Sequence, residues 1–176
     1  MNILFEAFKQ SIELVFTFNT DLYEILLLSF KVSCLSLFFS SLIGLPLGTF
    51  LAIKNFWGKD ITLIFFNTMM GLPPVVVGLI VYLLISRSGP FGWLGILYTP
   101  TAMIIAQMIL IIPIIVSFSA QIIEDIHLEY KNIFMSLVVP ADKAVKAYLF
   151  DARYSIFTVL LAGFGRAISE VGAVII

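Results

Sequence analysis

Arg166 and Glu170 stand one helical turn apart inside an apolar stretch. Opposite charges at that spacing can pair along one helix face, or offer a counter-charge to something passing beside it. A charge at bilayer depth costs about 2.5–3.5 kcal/mol or more on insertion scales, so neither residue is expected to face lipid alone. Gly163, Gly165, Ala167, Ser169, Gly172 and Ala173 surround the pair, and such small residues let a second helix approach closely. A place beside a polar path and a purely structural salt bridge fit these residues equally well. Covalent chemistry has less to draw on. His127 is the single histidine and Cys34 the single cysteine, which excludes an intramolecular disulfide and a thiolate metal cage. No Gly-rich phosphate loop ending in Lys-Ser/Thr occurs, so nucleotide hydrolysis is not expected of this chain. No metal and no cofactor are expected.

A second concentration of charge lies at Ile123–Arg153. Glu124, Asp125, Glu129, Lys131, Asp142, Lys143, Lys146, Asp151 and Arg153 account there for 9 of the chain's 21 acidic and basic residues. Ile126, Tyr130, Ile133, Phe134 and Leu137 form one apolar stripe at helical spacing. After Val139-Pro140, residues Ala141, Ala144, Val145, Tyr148, Leu149 and Ala152 form another. Two short helices are therefore expected. Pro140 suits a helix start, Asp142 the positive end of that helix, and Asp142 with Lys146 an i, i+4 pair worth about 0.2–0.5 kcal/mol. Such helices either cover the end of a bundle or dock a partner.

The elements that must position these residues follow from composition. Of 176 residues 61% are hydrophobic and 12% charged, and the mean hydropathy is +1.10, outside the range of soluble domains. The expected fold class is all-α, a polytopic membrane helix bundle embedded in the lipid bilayer. A net charge of -1 with no basic stripe excludes nucleic acid as a partner. Residues 1–20 read as an amphipathic interfacial helix, with Phe5, Phe8, Ile12, Val15 and Phe16 at helical spacing. Its acidic Glu6 and Glu13 argue against a cleavable signal peptide, so it is expected to stay attached. The transmembrane domain occupies 21–176, with spans at about 26–53, 61–85, 101–121 and 154–176 and a polar segment at 123–153. Pro46 tilts or kinks the first span. Gly71, Pro73, Pro74 and Gly78 interrupt the second, and broken helices are tolerated in a membrane only where protein or a water-filled path satisfies the freed carbonyls. The loops at 54–60 and 123–153 hold Lys54, Lys59, Lys131, Lys143, Lys146 and Arg153, against Lys9 and Arg87 on the other face, so 123–153 is expected to be cytoplasmic.

Asn67-Thr-Met-Met-Gly-Leu-Pro-Pro-Val-Val-Val-Gly78, Ser86-Arg-Ser-Gly-Pro-Phe-Gly-Trp-Leu-Gly95 and Thr99-Pro-Thr-Ala-Met-Ile-Ile-Ala-Gln107 resemble the permease subunit of tungstate-type ABC importers. Phe164-Gly-Arg-Ala-Ile-Ser-Glu-Val-Gly-Ala173 is similar to the segment that tungstate, molybdate and other oxyanion permeases carry after their coupling loop. The resemblance runs from about Asp21 to Ala173. It implies a type I ABC importer permease fold in a bacterial or archaeal plasma membrane, working as a homodimer of permease copies. A cytoplasmic ABC ATPase subunit and an extracytoplasmic oxyanion-binding protein are the implied partners, and the permease itself performs no covalent chemistry. Asn67, Thr68, Pro73, Pro74 and Gly78 are expected to line or shape the central path at the dimer interface, with Arg166 and Glu170 stabilising it. Helix kinking without substrate contact is the alternative for the prolines. ATPase coupling is assigned to Glu129, Phe134, Val138, Pro140, Asp142, Lys143 and Lys146.

Two departures accompany the resemblance. The family's coupling motif, an acidic residue, two alanines and a later glycine, falls on Asn132, Ile133, Phe134 and Val138, none of which fits. A β-branched residue resists positive φ, so the turn is expected at Pro140 rather than at Val138. Relatives also continue with a loop and one further span, whereas this sequence stops at Ile176 within an apolar run. The expected function is import of an oxyanion, tungstate first, with molybdate, sulfate or phosphate, or a non-transporting membrane scaffold, as alternatives.

Overall fold

The computed structural model of the chain describes residues 20–174, and the side chains of 23–140 and 142–170 within them. The interfacial helix expected over 1–20 lies outside the described residues, save for Thr20, which opens the first helix. The described residues form six α-helices in order: α1 Thr20–Ile53, α2 Lys59–Met69, α3 Pro74–Ile85, α4 Pro100–Ser136, α5 Ala141–Asp151 and α6 Arg153–Val174. The fold is all-α, and no strand occurs among the described residues.

α4 is the axis on which the others pack. Ile111, Ile115, Val116 and Ile123 on it are shielded completely. Val77, Val81 and Ile85 of α3 meet Ala102, Ala106 and Leu110 of α4, while Val159 and Ala167 of α6 meet Ile111 and Ile115. α1 lies along the same helix, and its contact is unusually close. Ser36, Ser40, Gly44 and Gly48 recur every fourth residue, and all four are buried. A Cβ on Gly48 would stand 2.8 Å from the Val116 carbonyl oxygen and would collide with Ser119 Oγ; one on Gly44 would stand 2.8 Å from Ile115 Cγ2. Lipid tails are as apolar as leucine, so this seam is held by close packing and not by expulsion of water. Of the seam hydroxyls, Ser36 Oγ donates to its own helix at the Val32 carbonyl, 2.7 Å away, while Ser40 Oγ has no partner among the described residues.

Among the described residues two helices, Tyr23–Ile53 and Pro100–Ser136, are long and apolar enough to cross a bilayer, and the α2–α3 pair would make a third, bent by 100°. The break in that pair falls at Met70–Pro73, where Gly71 tolerates a turn and Pro74 opens α3 at a position whose missing N–H costs nothing. α6 is not in this set; its 22 residues span roughly 33 Å at about 1.5 Å each, and they include Arg166 and Glu170. Between α3 and α4 the chain makes one 3-10 turn, Gly92–Leu94.

The polar segment differs from expectation at its start. No separate helix begins near 123, because α4 runs unbroken from Pro100 to Ser136. Its 37 residues extend about 55 Å at roughly 1.5 Å per residue, well beyond a hydrocarbon core of about 30 Å. The change from apolar to charged residues at 121–125 alters the solvent the helix meets, but that stretch holds no Gly or Pro to end the helix, and even Pro113 further up, which lacks an N–H, does not stop it. Within the expected stripe Ile126, Tyr130 and Phe134 turn inward, while Ile133 and Leu137 are exposed.

The end of α4 corrects a second expectation. Val138 itself takes the left-handed conformation, with φ at 50°. The Val139 N–H donates to the Phe134 carbonyl at 3.0 Å and the Val138 N–H to the Met135 carbonyl at 3.3 Å, the two bonds of a Schellman motif. Phe134 and Val139 pack on the same apolar cluster, supplying the contact that closes such an end. Pro140 follows as the N-cap of α5 and does not make the turn. A left-handed backbone costs an L-residue about 1–2 kcal/mol, and glycine returns part of that gain through its freer unfolded chain. Val138 is 84% exposed, so it sacrifices little packing. Val138→Gly is therefore expected to stabilise the protein by about 1 kcal/mol or less, read as a raised thermal midpoint in detergent. A lowered midpoint would mean that Val138 makes contacts worth more than its strain.

Candidate translocation and coupling sites

The break between α2 and α3 leaves backbone carbonyls outside any helix, and α6 supplies a donor to one of them. Arg166 Nη2 donates to the Leu72 carbonyl at 3.4 Å, across 94 residues of sequence. The same guanidinium lies against Glu170, with Nε 2.7 Å from Oε1. That contact is an ion pair by distance, yet the Nε–H is not aimed at the oxygen, and Glu170 Oε2 is buried without a hydrogen-bond partner among the described residues. The Arg166 side chain is 32% exposed and that of Glu170 16%.

Gln107 ties the neighbouring position down. It is 1% exposed, and its Nε2 donates to the Ala167 carbonyl at 3.2 Å, while its Oε1 has no partner among the described residues. Asn67 and Thr68 sit at the end of α2, both exposed, with Thr68 Oγ1 donating to the Ile64 carbonyl at 2.8 Å. Pro73 is the exposed N-cap of α3, Pro74 its first residue, and Gly78 lies buried one turn inside it. The site residues named on either side of the break thus fall within a few residues of Leu72, the carbonyl that Arg166 reaches.

The second site is where α5 folds back on the extended end of α4. Ala144, Tyr148 and Ala152 face inward, and Tyr148 stacks on Phe134 with ring centroids 5.5 Å apart. His127 Nδ1 and the Tyr148 hydroxyl share a hydrogen bond of 3.0 Å, and the Tyr130 hydroxyl donates to Asp151 Oδ2 at 3.1 Å. Two polar tethers therefore flank one aromatic stack. Glu129, Pro140, Asp142, Lys143 and Lys146 are all exposed, and Asp142 and Lys146 form no ion pair with each other. Beside them a groove of about 430 Å³ is lined by Phe134, Met135, Val138, Val139 and Tyr148. Lys59, 12% exposed, reaches Glu124 at 2.8 Å and so fixes the α1–α2 loop one turn before His127.

This surrounding sets the titration of His127. Burial holds its pKa below the ordinary 6.5, the Lys131 and Lys59 ammonium groups add to the effect, and Glu124 opposes it. Burial likewise raises the Tyr148 phenol. A histidine that binds its proton more weakly in the folded state than in the unfolded chain contributes stability that is intact above about pH 6.5 and lost as pH falls below it. Amide exchange in Ala141–Asp151, corrected for the intrinsic pH dependence, is expected to quicken as pH drops from about 7.5 to about 5.5. His127→Phe keeps the ring and should flatten that dependence. A profile that His127→Phe leaves unchanged would assign it to another group.

Sequence reasoning overlooked several of these contacts. The fourfold repeat of Ser36, Ser40, Gly44 and Gly48 was a readable signal for close helix packing. Gln107 with Ala167, and Lys59 with Glu124, are 60 and 65 residues apart and leave no local trace.

Residues 44–173 match the family described as the binding-protein-dependent transport system inner membrane component. This chain belongs to that family. The "Probable anion ABC transporter permease protein" of Haloferax volcanii is 39% identical over 157 residues, 89% of this chain and 68% of its own length. The tungstate uptake system permease proteins TupB of Peptoclostridium acidaminophilum and Campylobacter jejuni are 34% and 31% identical over all 176 residues, covering 77% and 74% of their own lengths. As a member of this family the chain is a multi-pass transport subunit of the inner membrane and not an enzyme.

Proposed function

We propose that this chain is the permease of an ATP-driven importer for tetrahedral oxyanions, tungstate foremost. A second permease copy completes the path, a separate ATPase engages the α4–α5 end, and an extracytoplasmic binding protein delivers the anion. The observation that carries the reading is similarity to two tungstate permeases along the whole of this chain. The break at Met70–Pro73 supports it, because an interrupted span with a cationic side chain on a freed carbonyl suits a polar path through lipid better than a passive wall. Asn67, Thr68, Pro73, Pro74 and Gly78 then shape that path, and Arg166 with Glu170 steadies it. The exposed Glu129, Val138, Pro140, Asp142, Lys143 and Lys146 form the surface offered to the ATPase, and Phe134 supports it from beneath, stacked on Tyr148. The four apolar stretches act as spans, and 123–153 lies in the cytoplasm.

The test is ATPase stimulation in the reconstituted complex of permease, ATPase and binding protein. Binding protein loaded with tungstate should stimulate hydrolysis more than binding protein loaded with molybdate or sulfate. Equal or greater stimulation by another oxyanion would reassign the substrate. No stimulation by any of them would favour a non-transporting scaffold.

A further inference from the structure

The Arg166–Glu170 pair is poorly satisfied for two partly buried charges. A guanidinium offers five N–H donors, and among the described residues they account for one long bond to the Leu72 carbonyl and one misaligned contact with Glu170. One carboxylate oxygen has no partner among the described residues. A resident carboxylate that served only to neutralise the arginine would be expected to fork onto it through two parallel bonds, the strong geometry for that pair. About a third of the arginine side chain also remains accessible, at the point where the broken span exposes its backbone.

We propose that Arg166 is an oxyanion-binding residue of the path and that Glu170 is its tethered stand-in, holding the guanidinium until a tetrahedral dianion displaces it. This inference rests on the reading of the chain as an oxyanion permease. The physical case is one of exchange. A lone guanidinium in a low-dielectric path would hold a dianion too tightly to release it, and a path must bind firmly enough to admit an ion yet weakly enough to let it leave. With Glu170 one turn away, Arg166 trades one anionic partner for another and is never stripped of both. The arriving anion gains the unused N–H donors, and the returning carboxylate expels it. Gln107, anchored on the Ala167 carbonyl, holds α6 in register beside this exchange and acts as a positioning residue.

The test measures tungstate retention by the complete importer in detergent, without binding protein, by equilibrium dialysis with elemental analysis. Glu170→Gln removes the competing charge and keeps the shape, so it is expected to bind tungstate at least tenfold more tightly than the wild type. Its uptake in proteoliposomes should slow severalfold, because release becomes limiting. Arg166→Lys keeps the charge and loses the fork, and is expected to retain tungstate severalfold more weakly than Glu170→Gln when placed in that background. Tungstate binding by Glu170→Gln no tighter than wild type, in a complex whose wild type transports, overturns the proposal. Binding that survives Arg166→Met in the Glu170→Gln background overturns it as well. A wild-type complex that neither imports nor responds to any oxyanion instead overturns the functional reading on which the proposal stands.

Discussion

Gly48→Ala is expected to destabilise the protein by about 1–3 kcal/mol, the usual cost of forcing one methyl into a filled interface. The added Cβ would collide with Ser119 Oγ and stand 2.8 Å from the Val116 carbonyl oxygen and 3.2 Å from the Ala120 nitrogen. The hydroxyl can rotate away, but the two backbone atoms cannot, so α1 must lift off α4 along the seam that also buries Ser36, Ser40 and Gly44. Ser119→Ala should therefore rescue only part of the loss. Gly165→Ala is the matched control: a Cβ there meets nothing within 4 Å, and alanine is the better helix former by about 1 kcal/mol. Thermal midpoints of the detergent-solubilised variants compare the two. Wild-type stability for Gly48→Ala would show that α1 and α4 can separate locally at no cost.

What the sequence could reveal depended on whether the deciding forces are local. The break in the second apolar stretch was readable because Gly71, Pro73 and Pro74 act on their own backbone, and α5 was readable because Pro140 and an apolar stripe mark its start and its inner face. The length of α4 was not. A switch from apolar to charged residues near 121 resembles a boundary, but the backbone ladder is indifferent to what surrounds it. Val138 was misjudged for the opposite reason. Its intrinsic preference is against positive φ, and the packing of Phe134 with Val139 on the Ala144–Tyr148 cluster overrides that preference. The inner contacts of the candidate path, Arg166 with Leu72 and Gln107 with Ala167, join segments 94 and 60 residues apart, and only the folded chain brings them together.

The same long-range contact makes Arg166→Met the most damaging single change expected here. It removes the donor to the Leu72 carbonyl and leaves Glu170 without its counter-charge, and breaking a buried pair from one side costs about 3–5 kcal/mol. Because the arginine side chain is 32% exposed, the lower end of that range applies. Yield and thermal midpoint of the solubilised protein should fall together. Adding Glu170→Met removes the stranded carboxylate, so the double variant is expected to recover most of the stability. The recovery stays incomplete by about 1 kcal/mol, because the Leu72 carbonyl still lacks a donor. Uptake should not return with the stability, since methionine offers nothing to an anion at the break. If the double variant is as unstable as Arg166→Met alone, the damage comes from the lost tether to Leu72, and the charge of Glu170 is not what the arginine was holding. Restored uptake in the double variant would make the pair a structural device and remove Arg166 from the path.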